Sequence, residues 1–132
     1  MTKKRVLVTG IAGTIGGIVR DYLRDDYELS GLDRVAIYDV PTHIGDLADF
    51  DSIRPAFDGQ DVVVHLGGDP RGQAPWESVL QNNIVGTQNV FEACRQAGVG
   101  RVVFASTNHV VGYIPETQEP YKAVFDGRFD EV

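Results

Sequence analysis

The chain has 132 residues, a formal net charge of −7, 42% hydrophobic and 23% charged residues, enough for one domain with a single core. That composition excludes a wholly disordered chain, a collagen-like repeat and a disulfide scaffold, and the single cysteine, Cys94, excludes an internal disulfide. No basic stripe marks a nucleic-acid surface. No apolar run approaches the roughly 18 residues of a membrane span, and Val6–Val8 is too short for the core of a signal peptide. The expected setting is the cytoplasm, with no nucleic-acid or membrane partner. Few of the basic residues are lysines, which suits a salt-tolerant protein as well as an ordinary soluble one.

Arg5 to Thr9 is a short β-branched run closed by Gly10, a buried strand. From Thr14 the period changes: Ile15, Ile18, Val19, Tyr22 and Leu23 recur at helical spacing. Tyr27 to Leu32 predicts a second strand, and Val35 to Val40 a third, stopped by Pro41. Asp49 to Phe57 predicts a short helix capped by Asp49 or Asp51. Asp61 to Leu66 is the clearest strand, ended by Gly67-Gly68 and followed by a loop holding Pro70, Gly72 and Pro75. Pro75 and Trp76 open a helix in which Trp76 is expected to pack. The long helix that follows carries Leu80, Ile84, Thr87, Phe91 and Cys94 on one stripe, with Gly98 placed to cap it. Arg101 to Ala105 predicts the fifth strand. Residues 113–132 show no clear period and read as an irregular tail. Strands alternating with helices, several of them apolar on both faces, imply an α/β fold with a parallel sheet covered on both sides.

The turn Thr9-Gly-Ile-Ala-Gly-Thr-Ile-Gly16 sits between the first strand and the first helix. Gly10 permits a sharp turn, Gly13 leaves room for a pyrophosphate at the backbone, and Gly16 allows close packing of helix on sheet. The helix start at Thr14, Ile15 and Gly16 then offers free amides to phosphates. Asp33, seventeen residues after Gly16, falls at the end of the second strand. There a carboxylate accepts hydrogen bonds from ribose hydroxyls and repels a 2′-phosphate, which favours NAD over NADP. The neighbouring Arg34 is a competing signal, since an Arg can pair with that phosphate.

With these residues in place the sequence resembles the extended short-chain dehydrogenase/reductase family, whose glycine spacing is that of Gly10, Gly13 and Gly16. Four further segments are similar. Asp46-Leu47 looks like the pair that contacts adenine, and His65-Leu-Gly-Gly68 like the strand end that packs along the cofactor through Leu66, Gly67 and Gly68. Asn82-Asn-Ile-Val-Gly-Thr87 looks like the helix motif that supplies a catalytic Asn, here Asn83. Phe104-Ala-Ser-Thr-Asn-His-Val-Val-Gly112 looks like the strand motif that ends in the catalytic Ser or Thr, here Thr107. The stretch Ser106 to Tyr113 is similar to uronate dehydrogenases and their relatives acting on sugars and sugar phosphates, in which the residues matching Ser106, Thr107, Asn108 and His109 lie toward the sugar.

The resemblance implies a Rossmann-type sheet of order 3-2-1-4-5, with residues 1–132 as one NAD-binding domain. It also implies hydride transfer from a sugar hydroxyl to NAD. It covers the first half of a family member, so a substrate domain and a sixth strand are expected to be missing. The family's Tyr-x-x-x-Lys is absent: the residues four after Tyr22, Tyr27, Tyr38, Tyr113 and Tyr121 are Asp26, Gly31, Thr42, Thr117 and Phe125. The chain alone is therefore expected to be inactive. A sugar-nucleotide epimerase or dehydratase, or a non-catalytic NAD-binding module, remain as alternatives.

His65, His43 and His109 lack metal-ligand spacing, so no metal site is expected. His43 reads as a solvated loop residue, Cys94 as packing, and Arg71 as an anion contact or part of a solvated loop. An unpaired fifth strand would leave an open edge, which predicts self-association.

Overall fold

The computed structural model describes residues 2–107. In chain order these form β1 (Arg5–Thr9), α1 (Thr14–Leu23), β2 (Glu28–Asp33), β3 (Thr42–Ile44), α2 (Phe50–Ile53), β4 (Val62–His65), α3 (Trp76–Val79), α4 (Gly86–Ala97) and β5 (Arg101–Phe104). A 3₁₀ turn, Arg54–Phe57, follows α2, and a π turn, Leu80–Val85, joins α3 to α4. All strand pairs are parallel and the order is β3-β2-β1-β4-β5, the arrangement the sequence predicts. Residues 113–132 lie outside the described residues.

Alternation along β1 divides the core. Leu7 faces Ile53, Phe57, Val63, Val90 and Cys94, the layer formed with α2 and α4. Val6 and Val8 face the other way, toward Ile11, Val40, and the flanks of Val19 and Leu23 on α1. Burial on both faces is what a parallel sheet requires. The cover thins toward β5, where Val103 and Phe104 are half exposed.

Several boundaries differ from the sequence reading, each for a local reason. Val35 to Val40 is not a strand. The Asp33 carboxylate accepts the amides of Arg34 (2.7 Å) and Val35 (3.4 Å), which turns the chain off the sheet. Ile37 and Val40 then pack into the α1-side core from a loop. The third strand begins after Pro41, whose carbonyl accepts the Gly31 amide at 2.8 Å. Proline lacks a ladder donor and so fits just ahead of an edge strand.

The helix read over Asp49 to Phe57 tightens into 3₁₀ geometry at Pro55, with Asp49 as its cap, accepting the Ser52 amide at 3.3 Å.

The long-helix stripe is also corrected. A π turn widens each repeat by one residue, so the buried set after it is Gly86, Val90, Ala93 and Cys94, while Ile84 and Phe91 are exposed. Trp76 opens its helix as expected, but it is exposed rather than packed. On α1, Val19 and Leu23 pack, whereas Ile15, Ile18 and Tyr22 face outward. Gly98, at φ 71°, closes α4 and donates to the carbonyls of Cys94 and Arg95.

Candidate functional site

The carboxyl ends of β1, β2 and β4 surround a cleft of about 610 Å³. Gly10 makes its floor possible. Its φ of +70° lies in the left-handed region, and a Cβ there would stand 2.9 Å from the Cα of Gly67. Gly16 permits an equally close approach, since a Cβ on it would be 2.2 Å from the Gly10 carbonyl oxygen. At Gly13 a Cβ would meet only that same oxygen, at 3.2 Å. Gly13 is the N-cap of α1 and contributes no side-chain acceptor. Thr14, Ile15 and Gly16, the first turn of the helix, line the cleft at the positive end of the helix dipole with no side-chain cap on their amides. Oxygen-rich anionic groups fit this cradle by charge and by space.

Asp33 closes one side. Its Oδ2 accepts the Ala12 amide of the glycine turn at 3.0 Å and its Oδ1 accepts Arg34 and Val35. A carboxylate has about four acceptor positions, so Oδ2 keeps capacity for a further donor. The exposed Arg34 stands beside it.

The wall between β3 and α2 carries Asp46 and Leu47. The Asp46 carboxylate accepts the Ala48 amide at 2.9 Å, and the Leu47 carbonyl accepts the Asn89 side-chain amide from α4 at 2.8 Å. Leu66, Gly67 and Gly68 form the wall after β4. Every residue that the sequence assigned to the cofactor thus borders one cleft. Ala12, Leu32, Val35, Gly45, Pro70 and Asn82 line it too. The sequence assigns none of these to the cofactor, although Ala12 lies inside the glycine turn and Asn82 opens the helix motif of Asn83.

Asn83 sits at the rim rather than in the lining. Its amide group holds the Asp69 backbone from both sides, accepting the Asp69 N–H at 2.6 Å and donating to the Asp69 carbonyl at 3.0 Å. The Asp69 carboxylate in turn accepts from Arg71 (Nη2, 2.5 Å) and the Ser78 hydroxyl (2.5 Å). Those hydrogen bonds, that from Arg71 first, hold its carboxyl well below the usual range. Arg71 is thus paired with Asp69 and two-thirds exposed, in keeping with the solvated-loop reading of this segment. Ser106 and Thr107 are exposed after β5. Asn108 and His109 lie outside the described residues.

His65 is buried behind the Leu66–Gly67 wall, 1% exposed, and burial pushes its pKa down to about 4. Its ring stacks on Phe104 at 5.5 Å. His43 is not a solvated loop residue: it lies in β3, half-buried, with Nε2 2.7 Å from the Ser52 carbonyl. Cys94 belongs to the core, and burial raises its thiol to about 11, which leaves little thiolate for nucleophilic chemistry. Among the described residues no group of three or more His, Cys, Asp or Glu side chains could hold a metal ion. No helix there is long and apolar enough to cross a membrane.

A glycine turn leading into an uncapped helix, with a carboxylate at the tip of the neighbouring strand, defines a dinucleotide-binding α/β fold. The profile of the NAD dependent epimerase/dehydratase family matches residues 6–126. The chain belongs to that family.

Among its relatives, an NAD-dependent glucose-6-phosphate dehydrogenase of Haloferax volcanii is 42% identical over 116 residues, covering 81% of this chain and 44% of the relative. A uronate dehydrogenase of Agrobacterium fabrum is 41% identical over 120 residues, covering 87% and 45%. Among solved structures, a variant of uronate dehydrogenase from Agrobacterium tumefaciens in complex with NAD superposes with a TM-score of 0.74 at 40% identity, covering 80% of this chain and 42% of that one. The chain therefore spans less than half the length of the relatives it matches.

Proposed function

We propose that the chain is the NAD-binding part of a sugar oxidoreductase that transfers hydride from a sugar hydroxyl to NAD, the sugar being a uronate, an aldose or a sugar phosphate. The observation that carries this reading is the cleft itself, with the amides of α1 at its floor and the Asp33 carboxylate at its side. Bound NAD would supply the hydride acceptor. The first-turn amides of α1 hold the pyrophosphate, and the free acceptor capacity of Asp33 takes a ribose hydroxyl and repels a 2′-phosphate. Asp46 and Leu47 border the adenine, while Leu66, Gly67 and Gly68 wall the path toward the reacting end.

In this reading Thr107 hydrogen-bonds the sugar hydroxyl, and Ser106, Asn108 and His109 contact the sugar. Asn83 acts through the Asp69 backbone, fixing the rim over which the sugar enters. Thr107 is far too weak an acid to serve as the base. None of the tyrosines in this sequence has a lysine four residues on, so acid–base catalysis falls to groups not identified in the chain. Loss of such a group costs about 10²–10⁴ in rate, and the isolated chain is expected to bind NAD without appreciable turnover.

Calorimetric titration with NAD and NADP tests the cofactor reading. Saturable binding with NAD tighter supports it; no binding, or tighter NADP, overturns it. A longer chain with the length of the relatives, assayed for NADH on aldoses, uronates and sugar phosphates, tests the reaction. Absence of NADH on all three classes removes the dehydrogenase. Conversion of a sugar with no net NADH points instead to an epimerase or dehydratase.

The chain is also proposed to act in the cytoplasm and to self-associate along β5, where Val103 and Phe104 are exposed together with Phe91 of the adjacent α4. A concentration-independent monomer in light scattering counts against self-association.

A further inference from the structure

Each ring nitrogen of His65 meets a threonine hydroxyl. Nδ1 is 2.7 Å from the Thr9 Oγ1, and Nε2 is 3.1 Å from the Thr87 Oγ1. The same Thr9 oxygen also accepts two backbone amides, from Leu66 at 3.2 Å and Gly67 at 3.0 Å. A hydroxyl has two lone pairs and one proton. The Gly67 amide and the Leu66 amide, the latter shared with the Thr9 carbonyl at 3.3 Å, occupy the lone pairs, so the Thr9 proton points at Nδ1. Nδ1 is then the acceptor, and Nε2 carries the ring proton and donates it to Thr87.

The direction of every bond in this chain is thereby set. It starts on the cleft wall, at the Leu66 and Gly67 amides, passes through the hydroxyl next to Gly10, crosses the buried imidazole and ends on α4. It also spans the contact where the glycine turn meets Gly67, the approach that leaves no room for a Cβ on Gly10.

We infer that His65 is a positioning residue of the cofactor cleft: as the neutral, Nε2-protonated ring it holds the Thr9 hydroxyl as a double acceptor and so fixes the Leu66–Gly67 wall against the glycine turn. This rests on the reading of the cleft as the NAD site. Burial supports it, because a ring shifted to about 4 stays neutral through the ordinary range of pH. A protonated ring would instead offer a second N–H toward Thr9. Thr9 would have to surrender one of its amides to accept it.

Two measurements decide the point. Long-range proton–nitrogen correlation of the labelled chain, with the His65 signals assigned by loss in His65→Gln, is expected to show a neutral ring protonated at Nε2 at neutral pH. A ring protonated at Nδ1, or a charged one, overturns the inference. The second measurement compares Thr9→Val with Thr9→Ser. The valine leaves the Gly67 amide and Nδ1 without a partner and the Leu66 amide with only the Thr9 carbonyl, 3.3 Å away, and NAD affinity is expected to fall about tenfold or more. The serine restores the hydroxyl and is expected to recover most of that loss.

Hydrogen exchange at Leu66 and Gly67 is read on the same variants, faster in Thr9→Val and slowed again in Thr9→Ser. Equal NAD affinity in the two variants overturns the positioning role while leaving the cofactor reading intact. If the unaltered chain binds no NAD, the cofactor reading falls. The ring tautomer and the exchange rates then still show whether the relay exists.

Discussion

The two βα connections that meet at the cleft solve one problem with different materials. Both must turn the chain sharply at the carboxyl end of a strand and present backbone to a ligand. After β1 the turn is held by shape: glycine backbones approach so closely that one added carbon at Gly16 would fall 2.2 Å from an oxygen. After β4 the turn is held by side chains. The Thr9 hydroxyl takes the Leu66 and Gly67 amides, the Asn83 amide brackets Asp69, and the Asp69 carboxylate binds Arg71 and Ser78. A steric lock is intolerant of atoms and indifferent to pH, whereas a hydrogen-bonded lock tolerates volume and depends on protonation.

The sharpest break in the first turn is Gly16→Ala. The new methyl would collide with backbone at Gly10 and Ile11, the latter at 2.7 Å, and neither can rotate away. Overpacking costs about 1–3 kcal/mol and more where the neighbours cannot move, and with rigid backbone on both sides Gly16→Ala is placed at the upper end, a large share of the stability of a domain of this size. Urea unfolding is expected to show that loss, with NAD binding abolished at room temperature. A variant as stable as the parent would mean that the glycine turn is looser than these distances.

The second turn answers to acid instead. His65 goes from an ordinary value of 6.5 to about 4 on folding. Between those values the unfolded chain takes a proton that the folded chain refuses, so stability is complete above about 6.5 and falls as pH drops toward 4. The full difference is worth about 3 kcal/mol. Asp69 and Glu92 are depressed from 3.8 and 4.5, so their contributions are lost chiefly below about 4.5, and the slope above about pH 5 belongs to His65. Urea unfolding across the window is expected to show the slope in the parent chain and to lose it in His65→Gln. A parent chain equally stable at both ends of the window would refute the buried neutral ring.

Asn83→Ala removes the bracket on Asp69 and leaves one donor and one acceptor of a partly buried backbone unpaired. The expected loss is about 1–3 kcal/mol, smaller than at Gly16 because water can reach part of the rim. Urea unfolding measures it, and a change below about 0.5 kcal/mol would place Asn83 among ordinary surface positions.

The contrast also explains what was legible in the sequence. A steric turn announces itself, because only glycine can occupy Gly10 and Gly16 and the spacing is visible in one line of residues. The apolar runs of β1 and β4 were equally plain, and with them the parallel order. Val35 to Val40 misled because its apolar residues are real core residues carried by a loop. The cause is the Asp33 carboxylate seizing the next two amides, which no periodicity reveals. The phase of α4 was lost at the π turn, where one extra residue rotates everything after it. Thr9 heads the glycine turn and Thr87 ends the helix motif of Asn83, but neither motif gives its threonine a part of its own. Their roles exist only because β1, β4 and α4 bring them to the two nitrogens of one ring.

The smallest expected effect lies one residue from the largest. Gly17 is also inside α1, but a Cβ there would meet nothing within 4 Å. Its glycine serves no close approach and carries only the entropic cost of a flexible residue in a helix. Gly17→Ala is therefore expected to stabilise the chain by about 0.5–1 kcal/mol, with NAD affinity unchanged. The two neighbouring substitutions then have opposite signs, read in one urea series. If both destabilise, the whole first turn of α1 is under steric constraint, and the lock extends beyond the approach between Gly16 and the Gly10 carbonyl. If Gly17→Ala alone stabilises, the lock is confined to that approach, and the rest of α1 behaves as an ordinary surface helix.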